Sequence, residues 1–162
     1  MITVVLGAPG SGKSTVAGLL AGLLPGHVVL DWDAFMVAAA TLAGREIRVD
    51  PATWPGYRML MRTILEAVAH LPVVLLGVCT PAELEGWPAD AWILLDCTDE
   101  ERLRRLGNSA EPDRVRDGLA DGRAYRLLNL PVVDSTGRSP AEVAADLAAM
   151  CAAGPERGRR RR

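Results

Sequence analysis

Lysine is nearly absent from this chain: 17 of its 18 basic residues are arginine, and the single lysine is Lys13. A GC-rich genome produces such a bias, and a lysine that survives it stands where arginine's fork cannot replace a compact ammonium. Aromatic residues are also scarce, seven in 162, so the core must be built mainly from Ala, Val and Leu. The three cysteines, Cys79, Cys97 and Cys151, are odd in number and too scattered for metal-ligand spacing. They argue against a disulfide framework and fit free thiols in a reducing compartment. No apolar run approaches the roughly 18 residues a membrane helix needs, and the N-terminus reads as a strand rather than a charged, then apolar, leader. A soluble, cytoplasmic protein is expected. The length suits one domain with a single core.

The formal net charge of −2 hides a split. Residues 154–162 carry five arginines and one glutamate, which leaves the body near −6. Such a run reads either as a nucleic-acid arm or as a solvated, disordered end, and an acidic body favours the second. The reading is a domain over 1–153 followed by a disordered basic tail over 154–162.

The chemistry is concentrated at the start. Ile2-Thr3-Val4-Val5-Leu6 is an apolar, β-branched run; Gly7-Ala8-Pro9-Gly10-Ser11-Gly12-Lys13-Ser14 follows it as G-x-x-x-x-G-K-[ST], and Thr15 continues into a helix. This is a phosphate-binding loop in its expected strand–loop–helix context. Glycines at 7, 10 and 12 let backbone N–H groups turn inward as a nest for phosphate oxygens. The helix starting near Gly12 aims its positive end at the same anion. Lys13 brings an ammonium to the β- and γ-phosphates, and the Ser14 hydroxyl suits Mg²⁺. The chain is therefore read as binding a nucleoside triphosphate. Guanine is disfavoured, because the motif N-K-x-D needs a second lysine.

Behind the loop, strand and helix patterns alternate. Thr15–Leu24 is helical by period, with Leu19, Leu20, Leu23 and Leu24 on one side and Pro25-Gly26 as its stop. Val28–Leu30 is a short strand ending at Asp31, Ala34–Leu42 looks helical, and 44–55 is a loop. Gly56–His70 is helical, with Met59, Leu60, Ile64, Leu65 and Val68 available to the core. Val73–Leu76, Trp92–Leu95 and Val132-Val133 complete the strands. Capping boxes at Thr80, Thr98 and Ser139 announce a short helix, a helix to about Leu106 and a last one to about Ala153. Gly107–Pro112 is polar and unpatterned, and another helical stretch, weakened by Gly118, follows it to about Leu128. Five apolar strands alternating with helices specify a parallel sheet covered on both faces.

Ligands of such sheets bind beyond the carboxyl ends of the strands. Asp31 and Asp33 then lie beside the loop, provided the second strand is close to the first. Asp31 is suited to hold Mg²⁺ through water and Asp33 to face an acceptor hydroxyl; the plainer roles are a turn carboxylate and a helix N-cap.

The loop, together with Leu30-Asp31-Trp32-Asp33-Ala34-Phe35, resembles the small P-loop kinases: shikimate, gluconate and adenylylsulfate kinases and chloramphenicol phosphotransferase. As an order of elements the resemblance covers nearly the whole chain. It implies a three-layer α/β fold with a five-stranded parallel sheet of order 2-3-1-4-5 and helices on both faces. It implies ATP with Mg²⁺, and transfer of phosphate to a hydroxyl. By this resemblance Asp33 matches the aspartate that engages the acceptor, and Asp31 the one near the metal. A lid around 104–120 would bring arginine to the γ-phosphate; Arg102 and Arg105, three apart on one helix face, are the candidates, with Arg104, Arg114 and Arg116 nearby. Arg45, Arg48, Trp54, Tyr57, Arg58 and Arg62 fall where these kinases build the acceptor pocket, and Asp134 and Ser135 where they hold adenine. Two departures stand out. Gly107–Asp113 has no arginine where relatives often place one, and the third strand ends Gly77-Val78-Cys79-Thr80, without the paired glycines of the shikimate enzymes.

The expected function is an ATP-dependent kinase acting on a small-molecule hydroxyl. The alternatives are a polynucleotide 5′-hydroxyl kinase, favoured only by the basic tail, and an NTP-binding regulatory ATPase. A motor-type ATPase finds no room for its helical lid domain, and the Walker-B-like run Trp92–Asp96 is followed by Cys97 rather than a glutamate. Neither nucleic acid nor membrane is an expected partner.

Overall fold

The computed structural model describes residues 1–107 and 112–153. The tail from residue 154, and the middle of the expected lid at 108–111, lie outside the described residues. Strands β1 (Ile2–Leu6), β2 (Val28–Asp31), β3 (Val73–Gly77), β4 (Ala91–Asp96) and β5 (Val132–Asp134) form one parallel sheet in the order β2-β3-β1-β4-β5. The expected architecture and strand order are therefore present. β1 and β3 are buried along their whole length, as strands without polar alternation must be. The register brings Leu6 level with Gly77 on one side and Leu94 on the other.

Helices α1 (Lys13–Leu23), α2 (Met36–Ala43), α3 (Trp54–Val68), α4 (Asp99–Leu106), α5 (Pro112–Arg126) and α6 (Pro140–Ala153) cover the sheet. On one face α1 and α6 pack Val16, Leu20, Val143 and Leu147 against Val5, Val74 and Leu95. On the other, Met61 and Leu65 from α3 meet Val73 and Leu75, with Trp32 and Tyr57 edge-to-face at a centroid distance of 5.5 Å. A third, smaller cluster of Leu6, Ala8, Leu94 and Tyr125 seats α5 beside the phosphate loop.

Several boundaries and faces differ from the expectation. Leu19 and Leu23 are 42% and 48% exposed, because the buried stripe of α1 follows the four-residue spacing Val16, Leu20, Leu24 and turns their neighbours outward. In α3 the stripe is Tyr57, Met61, Leu65, which leaves Met59 and Leu60 at the surface. The box at Thr80 does close, with Thr80 N donating to Glu83 Oε2 at 2.8 Å and Glu83 N to Thr80 Oγ1 at 3.3 Å. No helix follows it: the chain makes only turns before Gly86 at φ +76°. The full box at Ser139 starts α6. At Thr98 only the hydroxyl half forms, Glu101 N donating to Thr98 Oγ1 at 3.2 Å while Thr98 N donates to Thr136 Oγ1, and α4 follows. Between β2 and α2 a 3₁₀ turn, Trp32–Phe35, replaces the first helical residues, since Asp31 Oδ1 accepts from Asp33 N at 3.0 Å.

Candidate active site

Gly7–Ser14 leaves the carboxyl end of β1 and turns into α1. Gly10 (φ +82°) and Gly12 (φ +99°) occupy the left-handed region that favours glycine. A Cβ on Gly7 would stand 2.6 Å from Ser11 Oγ and 2.9 Å from Leu95 O, so the loop has no space for a side chain there. The N–H groups of Gly10, Gly12, Lys13, Ser14 and Thr15 have no acceptor among the described residues. Lys13 is buried, with Nζ donating to Gly7 O at 2.5 Å and lying 3.4 Å from Ala8 O. Burial pulls its pKa from 10.5 down to about 8, while Asp33 and Asp31 oppose the fall. An ammonium and a row of unpaired N–H groups make an anion site, and this donor set fits a polyphosphate. Ser14 is exposed at the start of the helix.

Behind the loop stands a second set of groups, and here the placement of the candidate lid arginines differs from the expectation. Arg102 is fully buried, donating to Asp96 Oδ1 at 2.5 Å and to Pro9 O at 2.6 Å. Arg105 donates to Gly10 O and Ser11 O, each at 3.2 Å, and to Ser135 Oγ at 3.0 Å, while Glu101 holds its Nε at 2.8 Å. Both guanidinia thus engage loop carbonyls. Their approach through the face of α4 follows from the three-residue spacing, but the face packs on the loop rather than opening towards a lid. Ser135 is buried, its hydroxyl 3.0 Å from both Ser11 O and Asp96 O. It borders a cavity of about 480 Å³ shared with Ser11, Gly12, Thr15, Arg105 and Arg138. Asp134 is separated from it: the carboxylate caps Thr136 N at 2.9 Å and lines a different groove, with Cys97, Asp99 and Arg126. Ser135 follows the last residue of β5 and extends its pairing through Ser135 N to Asp96 O at 2.8 Å, so it and Asp134 face opposite ways as neighbours in extended chain do.

Across the loop, carboxylates of β2 and its turn, of α5 and of the β3–β4 connection act on shared groups. Asp33 acts on Lys13, Tyr57 and Cys79; Glu83 acts on Cys79, Tyr125 and Asp121. Burial, aided by these carboxylates, pushes Cys79 up to about 12 and raises both tyrosines, so all three stay protonated at neutral pH. Burial and then Asp117 and Glu83 also raise the pKa of Asp121, which has no hydrogen-bond or ion-pair partner among the described residues. Asp33 pairs with Arg48 at 3.5 Å, both partly exposed.

Other expected acceptor residues are occupied elsewhere. Tyr57 is buried, its hydroxyl donating to Trp32 O; it is core, because α3 turns that face onto the sheet. Arg58 donates to Glu83 O, and Trp54 packs edge-on to Tyr57. Arg45 lies out on Asp50 at 3.2 Å and Arg62 on Glu66 at 2.7 Å. The residues missed in the sequence are Asp96, Glu83 and Asp121. Asp96 had a signal, since it ends β4 as Asp31 ends β2, whereas Asp121 becomes visible only once α5 is packed beside the loop.

A phosphate loop at the carboxyl end of the central strand of a five-stranded parallel sheet of this order defines a P-loop protein of the kinase-like architecture. Residues 4–125 match the family model described as an AAA domain, and the chain belongs to that family. Solved structures with the same fold include TT1252 from Thermus thermophilus, 26% identical with a TM-score of 0.62 over 94% of this chain and 97% of that one. A sugar kinase from a Janibacter species is 20% identical, with a TM-score of 0.62 over 91% and 92%. Shikimate kinase from Acinetobacter baumannii, in complex with shikimate, is 20% identical with a TM-score of 0.60 over 90% and 89%. Among curated proteins no match is found.

Proposed function

We propose that this protein is an ATP- and Mg²⁺-dependent kinase that phosphorylates a hydroxyl group on a small molecule. The observation that carries the reading is the set of unpaired N–H groups of Gly10, Gly12, Lys13, Ser14 and Thr15, with the Lys13 ammonium, within electrostatic reach of the Asp33 carboxylate. Phosphoryl transfer asks a protein mainly to position two reactants and neutralise charge. The loop and Lys13 hold the phosphates; Ser135 and Arg105 border the cavity that receives the nucleoside. Asp33 orients the acceptor hydroxyl and takes its proton, the protonated Tyr57, Tyr125 and Cys79 being unable to do so. Mg²⁺ supplies charge neutralisation at the phosphates, and Ser14 with Asp31 would hold it, the remaining ligands coming from phosphate and water. Among the described residues no three His, Cys, Asp or Glu side chains form a metal site by themselves, which fits an ion bound largely through its nucleotide.

The charge on the acceptor side narrows the substrate. Asp33 and Asp121 act on Lys13 from this side and Glu83 acts on Asp121, while Arg48 is paired with Asp33 and Arg58 donates to a backbone carbonyl. A neutral or cationic hydroxyl compound, such as an amino sugar, suits this lining better than a hydroxy acid. A reducing, cytoplasmic setting suits three buried free cysteines, and no helix among the described residues is long and apolar enough to cross a membrane. The test is ADP release from Mg·ATP with amino sugars, neutral sugars, nucleosides and hydroxy acids. Acceptor-stimulated release is expected, greatest for amino-bearing compounds. ATP hydrolysis indifferent to every acceptor would favour a regulatory ATPase instead.

A further inference from the structure

We infer that Arg102 is a positioning residue for the phosphate loop: from behind, it fixes the peptide plane that aims the Gly10 N–H at phosphate. In a trans peptide the carbonyl and the following N–H share one plane and point in opposite directions. The Pro9 carbonyl and the Gly10 N–H belong to one such unit, so the 2.6 Å bond from Arg102 to Pro9 O also sets the direction of the Gly10 donor. Arg105 repeats the device two peptides further on. With Ser135 it holds Ser11 O, and the N–H opposite that carbonyl is Gly12's. Gly10 and Gly12 are both among the donors without an acceptor. They are also the positive-φ residues of the loop, where glycine's freedom gives least intrinsic preference for one direction.

The anchoring of Arg102 runs back into the sheet. Its other arm holds Asp96 at the end of β4, and Asp96 receives Arg126 Nε on its second oxygen at 2.5 Å. A buried guanidinium is tolerable only when paired this closely. Helix α5 is cut to fit. A Cβ on Gly122 would stand 3.0 Å from Arg102 Nε and Nη2, and one on Gly118 would be 3.3 Å from Pro9 O. Two glycines four apart, costly inside a helix, are accounted for by the arginine and the loop they cover. Lysine at 102 offers one point charge and no planar fork, so it cannot hold Asp96 and Pro9 together. The inference rests on the nucleotide half of the proposed function and is independent of the acceptor.

The experiment measures ADP affinity by calorimetry, without acceptor, for the full chain and for Arg102→Lys, Gly122→Ala and Leu147→Ala. Leu147 lies in the opposite layer, against α1, and serves as a control for lost stability. Arg102 is used rather than Arg105 because Arg105 borders the nucleoside cavity and Arg102 does not. Loss of preorganisation should weaken ADP binding about tenfold in Arg102→Lys and about threefold in Gly122→Ala, where the arginine remains but is displaced. Leu147→Ala should lower the melting temperature with Kd unchanged. If Arg102→Lys binds ADP as the wild type does, or loses no more affinity than Leu147→Ala at an equal drop in melting temperature, Arg102 is only structural and the inference fails. If Arg102→Lys does not fold, Gly122→Ala decides alone, and a wild-type Kd there overturns it. No ADP binding by the unaltered chain would overturn the nucleotide reading and this one together; ADP binding without transfer would sink only the kinase.

Discussion

The two sides of the phosphate loop are built in contrasting ways. On the β4–β5 side the loop backbone is tied down through Pro9, Gly10 and Ser11 by Arg102, Arg105 and Ser135, buried or nearly so. On the β2–β3 side the charges are loosely held: Arg48 and Asp33 meet at 3.5 Å with side chains 52% and 29% exposed, and Arg45 and Arg62 form surface pairs. Exposed pairs of that kind contribute about 0–1 kcal/mol each. A fixed, backbone-built site can serve one invariant ligand, the nucleotide. A side-chain surface with weak internal pairing can change charge and shape without endangering the fold. Under the proposed function, the contrast assigns nucleotide binding to the rigid half and acceptor recognition, with Asp33, to the loose half.

The largest expected effect tests the rigid half. Lys13→Ala should abolish phosphoryl transfer and the ATP-dependent rise in melting temperature. Its own fold should survive. Lys13 is buried rather than exposed, and its lowered pKa means that the charged ammonium is held at a standing cost to the folded state. Thermal denaturation with and without Mg·ATP checks both halves, and an unchanged ATP shift would remove the loop from the argument.

Asp33→Asn comes next and separates the two sides. Turnover should fall by ~10²–10⁴-fold, nearer the lower limit if a loose transition state needs mainly orientation. ADP affinity should stay within about twofold, because the loop donors are untouched. Asp31→Asn should instead raise the Mg²⁺ concentration for half-maximal rate and be partly rescued by excess metal. Wild-type turnover in Asp33→Asn would reduce that carboxylate to a partner for Arg48.

The third effect is a pH dependence. Free Lys13 has a pKa near 8, and phosphate binding favours its charged form. Nucleotide affinity should therefore be flat below about 8 and weaken above it, by up to about tenfold per pH unit. The sign for folding is the opposite. Between about 8 and 10.5 the unfolded chain keeps a proton that the folded chain has lost, so this group's contribution to stability rises with pH. Titrating ADP at pH 7, 8 and 9 in the wild type and Lys13→Met checks the assignment. Parallel curves would place the titrating group elsewhere.

What could be read from the sequence divides along the same line. The strands, the loop and the helix starts at Thr98 and Ser139 rest on local spacing, and local spacing survives folding; the strand order came from the resemblance and is the order observed. Ser135 and Asp134 were paired in the sequence, but alternation along extended chain put them on opposite faces. Tyr57 looked like a pocket residue and is core, since it shares the buried stripe of α3 with Met61 and Leu65. Arg102 and Arg105 lie on one face of α4 as their spacing required, yet spacing cannot say what that face packs against. Asp121 shows the limit most clearly: nothing local marks it, and its helix reaches the site through the packing of Tyr125 on Leu6 and Leu94 and the fit of Gly118 and Gly122 against Pro9 and Arg102.

The smallest effect concerns that carboxylate. Asp121 is half-buried, without an ion-pair partner among the described residues, and acts on both Lys13 and Tyr125. If the loose side selects by charge, Asp121→Asn should lower kcat/KM for a cationic acceptor and leave a neutral one alone. A unit charge about 8 Å away in an effective dielectric near 40 contributes about 1 kcal/mol, or roughly fivefold. The same change removes a negative charge near the phosphates, so ADP affinity should hold or rise slightly. Salt is the discriminating variable. The difference between cationic and neutral acceptors should shrink from low to high ionic strength in the wild type, and much less in Asp121→Asn. If both acceptors lose rate equally, or the difference ignores salt, Asp121 acts by shaping α5 rather than by its charge. The acceptor side would then be selecting by shape.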